Sequence, residues 1–560
     1  MIKLPLRRGL NLKSKINTEV CPFCKEEQLL VYDLDLSGSQ SLQKKLESIN
    51  INWKPEQGIC LKCVDYFDVE ILREENLLPD ASQLKLTTFE NYIIPPTPWR
   101  LNADQNLTGK DVTICFIDSG FYLHPDLTKP TNRILKIVDV TSEQKSDKYF
   151  EEPHPESWHG TMTSCVCAGN GFLSNNIYKA IASEANLVLI KVWENNKISS
   201  ANIAKGIRWA IDNKEKYNIK IINLSVTDDD EIPYKESKID LAAEEAIEKG
   251  IVVVAAVGND LNAKIKAPAS SPNVITVGGI DDHNSINPAA YSLYHSTFGT
   301  TIDGIQKPEL IAPSIWIAAP VLPESKENTE AKLLFQFLSL NDQLLVEQFN
   351  KIKNETEFKV EDGFINAKNI RESFNKRIKD QKYLTPDYMH ADGTSFSAPI
   401  VCSIISQMLE ANPALTPSSI REILITTASR MNNVNVKRQG YGIVNAKAAV
   451  KKAIKEKHNF DDEKKMSPVI NQIENTIRFI YHDHSAKSVK LAGDMNGWLG
   501  NGFIFTKENY GYWKCTIPLL PKGIYRYKFI VDGNKWVADF LNPFKEDDGY
   551  NGLNSKLIIE

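Results

Sequence analysis

An α/β fold built on a doubly wound parallel sheet, with a small cysteine-rich module before it and a β-sandwich after it, is what this sequence predicts. Three observations lead there. Between residues 99 and 454, short β-branched runs alternate with longer amphipathic stretches. Two Cys-x-x-Cys pairs precede that region, and short strand-like runs parted by Gly, Asn and Asp follow it. Runs that are apolar on both faces suit parallel strands covered by helices on each side. A length of 560 residues exceeds what one hydrophobic core organises, so several domains are expected.

Residues 1–95 form the first expected module, which closes on Ile93-Ile94-Pro95-Pro96-Thr97-Pro98, where prolines break helices and stiffen the connection. Residues 99–454 carry the α/β pattern. Strands are expected at 112–117, 187–190, 219–224 and 251–255, each dominated by Val, Ile and Leu. Crossover helices are expected at 201–218 and 238–250, with Gly250 placed to end the second. Residues about 322–388 look inserted: they are rich in Lys and Glu, and Leu333, Leu334, Phe335, Phe337, Leu338, Leu344, Leu345, Phe349 and Ile352 recur at near-helical intervals, which predicts a helical hairpin. Residues 455–470 read as a charged linker. Residues 474–560 read as the sandwich, with strands near 476–481 and 525–531.

Composition narrows the function. Apolar residues make up 42% and charged residues 24%, which excludes wholesale disorder, and 66 Lys and Arg against 71 Asp and Glu leave a net charge of −5. No global basic field exists to gather nucleic acid or anionic lipid, so a nucleic-acid partner is disfavoured. Asn11, Lys13 and Lys15 interrupt the basic start before a signal-type apolar run forms, and no stretch of about 18 apolar residues occurs. Neither secretion nor a membrane partner is expected. Nine cysteines, four of them in the paired motifs, suit a reducing compartment, and the cytoplasm is the expected location.

Four segments of the central region carry reactive groups. Asp118-Ser119-Gly120 ends a strand, His159-Gly160-Thr161 opens a stretch of small residues able to pack as a helix, Gly258-Asn259 follows another strand, and Gly393-Thr394-Ser395-Phe396-Ser397-Ala398-Pro399 leads into a helix. Open α/β sheets assemble their sites at such strand ends. In this order the segments resemble the subtilisin-like serine proteases, over about residues 99–454. Further matching text lies in His124-Pro125-Asp126-Leu127, in Lys307-Pro308-Glu309-Leu310 and in Gly440-Tyr441-Gly442. The chain order Asp, His, Ser supports the resemblance.

The resemblance implies a serine endopeptidase acting on proteins or peptides. Ser395 is then the nucleophile, His159 its general base, Asp118 the group that orients the imidazole, and Asn259 the side-chain donor of the oxyanion hole. Ser225, Val226, Thr227 and Gly258 are expected at the substrate cleft, the first three on a strand. Where the family commonly has Ser-Leu-Gly-Gly, this chain has Ser225-Val226-Thr227-Asp228, which alters the expected S1 wall. The run Asp228-Asp229-Asp230-Glu231 is read either as a rim favouring basic substrate residues or as a solvated loop. The insertion rejoins the core just before Ser395, so it is read either as a surface appendage or as a lid. His124, His154, His283 and His295 are given structural or solvated roles.

Cys21, Cys24, Cys60 and Cys63 offer four thiolates on two knuckles, the donor set of a structural zinc site in a zinc-ribbon-like module, with room for a small helix within 39–51. A redox pair is the competing reading. Calcium is left open. In the last region Gly493-Asp494-Met495-Asn496-Gly497-Trp498, then Tyr525-Arg526-Tyr527-Lys528-Phe529, Trp536 and Asn554-Ser555 resemble the glycogen-binding sandwich of AMP-activated kinase β subunits and of branching and debranching enzymes. That resemblance implies a glycogen or other α-glucan partner held by Trp498, Lys528, Trp536 and Asn554. The rival to the whole reading is a catalytically silent scaffold that keeps the protease fold and binds protein or glucan.

Overall fold

Eight strands make the central sheet. In spatial order they are Ser292–Leu293, Ile275–Asp281, Val252–Ala256, Ile219–Leu224, Thr113–Asp118, Asn186–Lys191 and Ile134–Asp139, with Leu310–Pro313 added beside Ile275–Asp281. Every pairing is parallel except that of Ser292–Leu293. The computed structural model describes residues 13–32, 40–74, 94–353, 365–456, 466–499 and 502–560. The basic start and most of the charged linker lie outside them.

The two-sided burial expected of these strands is met by two separate cores. Ile114 and Phe116 face one core and Cys115 and Ile117 the other, and Leu187 and Leu189 alternate in the same way with Val188 and Ile190. The first core is covered by helices Ser157–Ala168, Thr394–Ala411, Pro417–Thr427 and Ala446–Lys455, the second by Ser200–Asp212 and Lys238–Glu248. Gly250 adopts φ +83 just past the last of these helices, a conformation glycine takes without steric cost.

Among its described residues the insertion holds three helices rather than a hairpin's two: Lys326–Leu338, Asp342–Ile352 and Ala367–Asp380. They share a small core of their own around Leu334, Phe349 and Phe374. The chain then returns through strands Tyr383–Thr385 and Tyr388–Ala391, and the latter pairs with Ile317–Pro320. Residues 354–364 are outside the description.

The N-terminal module is a three-stranded sheet, Lys13–Val20, Glu27–Tyr32 and Ile59–Cys60, with helices Gln40–Ile49 and Leu61–Glu74. The helix anticipated within 39–51 is present. The second cysteine pair bridges a strand and the first turn of a helix. Phe172 of the central region completes the module's apolar core, and Lys179 pairs with Glu70 at 2.7 Å, so the module is packed onto the α/β region.

The C-terminal region is a sandwich of a four-stranded and a six-stranded sheet, packed around Phe479, Trp513, Tyr527 and Phe529. It docks on the central region through Ile425, which joins its core, through Arg421 donating to the Phe540 carbonyl at 2.7 Å, and through Lys556 donating to the Gly304 carbonyl at 3.2 Å. No helix among the described residues is long and apolar enough to cross a membrane.

Candidate active site

Asp118 is the last residue of the strand Thr113–Asp118, and His159 lies in the first turn of helix Ser157–Ala168. Gly160 lets the two meet. A Cβ there would stand 2.3 Å from the Gly120 carbonyl oxygen and 3.0 Å from Asp118 Cβ, so any larger residue would push the helix away from the strand end. With the gap closed, His159 Nδ1 donates to Asp118 Oδ1 at 2.8 Å. The carboxylate also accepts from the Ser119 N–H at 2.7 Å and from Thr163 Oγ1 at 3.3 Å. Asp118 is almost wholly shielded from solvent, whereas the His159 side chain is 21% exposed. Burial opposes protonation of this imidazole, but the charge and hydrogen bond of Asp118 outweigh it and raise its pKa above the ordinary histidine value.

Ser395 is the second residue of helix Thr394–Ala411 and lines a cleft of about 790 Å³ together with His159 and Asn259. Gly393 precedes the helix at φ +136, outside the range open to other residues without strain. Asn259 is fixed from one side: its Oδ1 accepts from the Thr394 N–H at 2.8 Å and from Thr394 Oγ1 at 3.0 Å, which leaves the Nδ2 hydrogens as its donors. Its carbonyl accepts from His295 Nδ1 at 2.8 Å. Thr394 Oγ1 in turn accepts from the Gly258 N–H at 3.2 Å.

The segment 225–228 is not a strand; the strand ends at Leu224. Ser225 Oγ donates to the Ser395 carbonyl at 2.9 Å, Val226 packs into the second core, and Thr227 is exposed. Ser225, Val226, Thr227 and Gly258 lie outside the lining of the cleft that holds Ser395. Asp228 is buried and accepts from Ser200 Oγ at 2.6 Å, so the acidic run presents only its later members to solvent.

The inserted region walls the other side of the cleft through Leu322, Glu324, Ser325 and Glu327. His154 and His390 also line it, although sequence reasoning gave neither a role there. His390 is buried, stacks on Trp316 at 4.8 Å, and accepts from the Trp316 N–H at 2.8 Å. Its position five residues before Ser395 was the available signal. His295, given a structural or solvated role, is structural: it anchors the backbone of Asn259.

At the N-terminus the four cysteines converge, all buried. Cys21 Sγ stands 3.9 Å from Cys63 Sγ and Cys24 Sγ stands 3.7 Å from Cys60 Sγ. Four sulfurs at about 2.3 Å from a tetrahedral zinc would be separated by about 3.8 Å. The cluster therefore fits such a metal and is far too open for disulfides.

On the sandwich, strand register places Lys528 and Asn554 side by side and Trp536 opposite Ile530, on the face of the six-stranded sheet that carries Lys490 and Lys556. Trp536 is exposed, and its ring lies 6.3 Å from that of Trp498. Lys528 is ion-paired with Asp548, a partner the sequence did not announce, and Asn554 is buried.

Comparison with known proteins identifies the family. The subtilase family model matches residues 109–442, more than half of the chain, and the model for the glycogen recognition site of AMP-activated protein kinase matches residues 476–558. Serine protease AprX of Bacillus subtilis (strain 168) is 30% identical over 359 residues, covering 62% of this chain and 67% of that protein. M-protease of Shouchella clausii (strain KSM-K16) is 22% identical over 454 residues, covering 76% and 93%. A solved S41 psychrophilic protease is similar at a TM-score of 0.42 and 19% identity, over 60% of this chain and 92% of that one. On the extent of the family match and the identity to AprX, the chain belongs to the subtilase family and is a serine protease.

Proposed function

We propose that this protein is an endopeptidase in which Ser395 attacks the scissile carbonyl while His159 takes its proton. His159 then returns the proton to the leaving amine, and water repeats the cycle on the acyl-enzyme. Asp118 fixes the tautomer: with Nδ1–H bound to the carboxylate, Nε2 is the nitrogen free to act as base. Asn259 Nδ2 and the Ser395 N–H receive the charge that appears on the carbonyl oxygen. The observation that carries this reading is the His159–Asp118 hydrogen bond at the edge of a cleft that Ser395 and Asn259 also line. A fluorophosphonate probe tests it. Labelling of the wild type, absent from Ser395→Ala, is the expected result; a wild type that does not label would mean a silent scaffold.

The accessory modules are read as follows. Cys21, Cys24, Cys60 and Cys63 hold a structural zinc, supported by their tetrahedral sulfur spacing. Bound there, zinc supplies no chemistry to peptide hydrolysis and cross-links the module. The sandwich directs the protease to an α-glucan, supported by the exposed Trp536 beside Trp498. The inserted helices limit access to Ser395, supported by the four residues at 322–327 that wall the cleft. Replacing the helices by a short loop is expected to raise turnover of a folded protein substrate more than that of a short peptide. Equal effects on the two would reduce the insertion to an appendage. The cytoplasm is the proposed location, supported by the thiol-rich N-terminal module, and cell fractionation with an antibody checks it.

A further inference from the structure

A second cluster of metal-binding side chains lies far along the chain from the two cysteine knuckles, at the seam between the protease region and the sandwich. Glu456 follows the last helix of the protease region, Ala446–Lys455. His482 ends the strand Thr476–His482 of the sandwich, and His484 lies two residues beyond it. One donor atom from each of the three lies within 4.8 Å of the others. His484 Nε2 and Glu456 Oε1 are 3.5 Å apart. Two donors on one tetrahedral zinc, with bonds of about 2.1 Å, stand about 3.4 Å apart.

The second layer of contacts suits a metal as well. His482 Nδ1 faces both oxygens of Glu422, at 3.1 and 3.2 Å, and Glu422 belongs to the helix Pro417–Thr427. A carboxylate on one ring nitrogen fixes the tautomer and raises the basicity of the other, which is the usual arrangement around a metal-bound imidazole. Lys452 sits 3.6 Å from Glu422 and balances that carboxylate from outside. Glu456 and His482 are buried, whereas the His484 side chain is 47% exposed, so the cluster runs from the interior to the surface.

We propose that Glu456, His482 and His484 bind a divalent first-row cation of the zinc type, which clips the sandwich to the last helix of the protease region. Two imidazoles and a carboxylate are a borderline donor set: hard cations such as calcium and magnesium prefer all-oxygen sites, and soft ones prefer thiolates. Because Glu456 comes from the end of the protease region and the two histidines from the sandwich, binding adds a metal bridge to the docking contacts made by Ile425, Arg421 and Lys556. The site is independent of the proteolytic mechanism and of the cysteine cluster, and it stands or falls apart from either.

The test uses full-length protein in three forms: wild type, His484→Ala and Glu456→Gln. His484 is half-exposed, so its loss should leave folding intact, which the retained rate of peptide hydrolysis would verify. Each protein is equilibrated with zinc, desalted and assayed for zinc per chain. All three keep the four cysteines, so the cysteine cluster contributes equally. The expected result is one more zinc per chain in the wild type than in either variant, together with zinc-dependent protection of the linker from trypsin in the wild type alone. Equal zinc in the wild type and either variant, or linker cleavage that zinc does not slow, would overturn the proposal.

Discussion

Tyr388 donates its phenolic hydrogen to Asp126 Oδ2, although the two residues are 262 positions apart. The other oxygen of Asp126 accepts from the Leu173 N–H at 2.9 Å. Asp126 thus joins the segment beside the N-terminal module to the strand Tyr388–Ala391 that leads into Ser395. Burial first, and then the neighbouring carboxylate, hold the phenol well above its ordinary pKa, so it remains a donor across the working pH range. Tyr388→Phe keeps the ring against Tyr178 but leaves a buried carboxylate oxygen without its donor. The expected cost is about 1.5–3 kcal/mol, read as a lower urea midpoint at unchanged slope. A change below about 0.5 kcal/mol would show that the contact carries no weight.

Asn259 is expected to act in the transition state alone, because its Oδ1 is spent on Thr394 and only Nδ2 is left for a developing oxyanion. Asn259→Ala should lower kcat by about 10²–10³ with KM little changed, a magnitude transferred from subtilisin. His295→Ala removes only the bond to the Asn259 carbonyl and should cost less. Steady-state kinetics on a short peptide checks both. A rise in KM with kcat preserved for Asn259→Ala would assign the amide to ground-state binding instead.

What the sequence made legible follows from period and local motif. The strand Ile219–Leu224 could be read residue by residue, because Ile219, Ile221, Ile222 and Leu224 are apolar on both faces and nothing in their chemistry competes with a buried strand. Asp118, His159, Asn259 and Ser395 each sit at a strand end or helix start that local text announces. The inserted helix Ala367–Asp380 was missed because its composition is strongly polar, yet Ile370, Phe374 and Ile378 recur every four residues and form its buried stripe behind the Asn366 cap. Phe172, His295 and Asp548 act across long sequence separations, through loops whose meeting no local period encodes. The segment 225–228 looked like a strand continuation; instead its hydroxyl and carboxylate turn inward, to Ser395 and Ser200.

With a metal held by Cys21, Cys24, Cys60 and Cys63, as proposed, its removal should unfold the N-terminal module before the rest. Its core is small, and the binding free energy of such thiolate sites, about 10–16 kcal/mol in peptides, is folding free energy. Cys63→Ser is expected to release one zinc and expose helix Leu61–Glu74 to trypsin. Because Glu70 pairs with Lys179 and Phe172 fills the module's core, the segment around 172–179 should lose amide protection as well. Four freely reactive thiols in folded wild type, with no zinc found, would remove the metal.

Trp536 tests the sandwich. It is the exposed ring on a face shared with Lys528, and Lys528 is already committed to Asp548. Stacking should therefore carry more of any glucan affinity than the lysine charge. Trp536→Ala is expected to weaken retention on a glycogen affinity gel by about fivefold, the equivalent of about 1 kcal/mol, and Lys528→Ala by less. Wild type that migrates through glycogen unretarded would separate the sandwich from sugar altogether.

The pH dependence of kcat/KM follows from the sign of the His159 shift. The base must be neutral to accept the Ser395 proton, so activity is lost as pH falls through the folded pKa of His159. Asp118 raises that pKa above the ordinary histidine value despite burial, and the acid limb should therefore lie on the alkaline side of a free imidazole. Asp118→Asn removes the charge and should move the limb to lower pH, while the wrong tautomer lowers kcat by about 10⁴. The same shift acts on stability with the opposite sense. A pKa raised on folding means that the native state binds the proton more tightly, so this pair stabilises the fold below the unfolded histidine pKa, and the contribution fades as pH climbs through the folded one. Wild type should thus gain peptidase activity over the interval in which the His159–Asp118 pair ceases to add stability, and in Asp118→Asn both changes should lie at lower pH. An acid limb that stays in place in Asp118→Asn would show that another group sets it, and His154 and His390, which line the same cleft, would be the residues to exchange next.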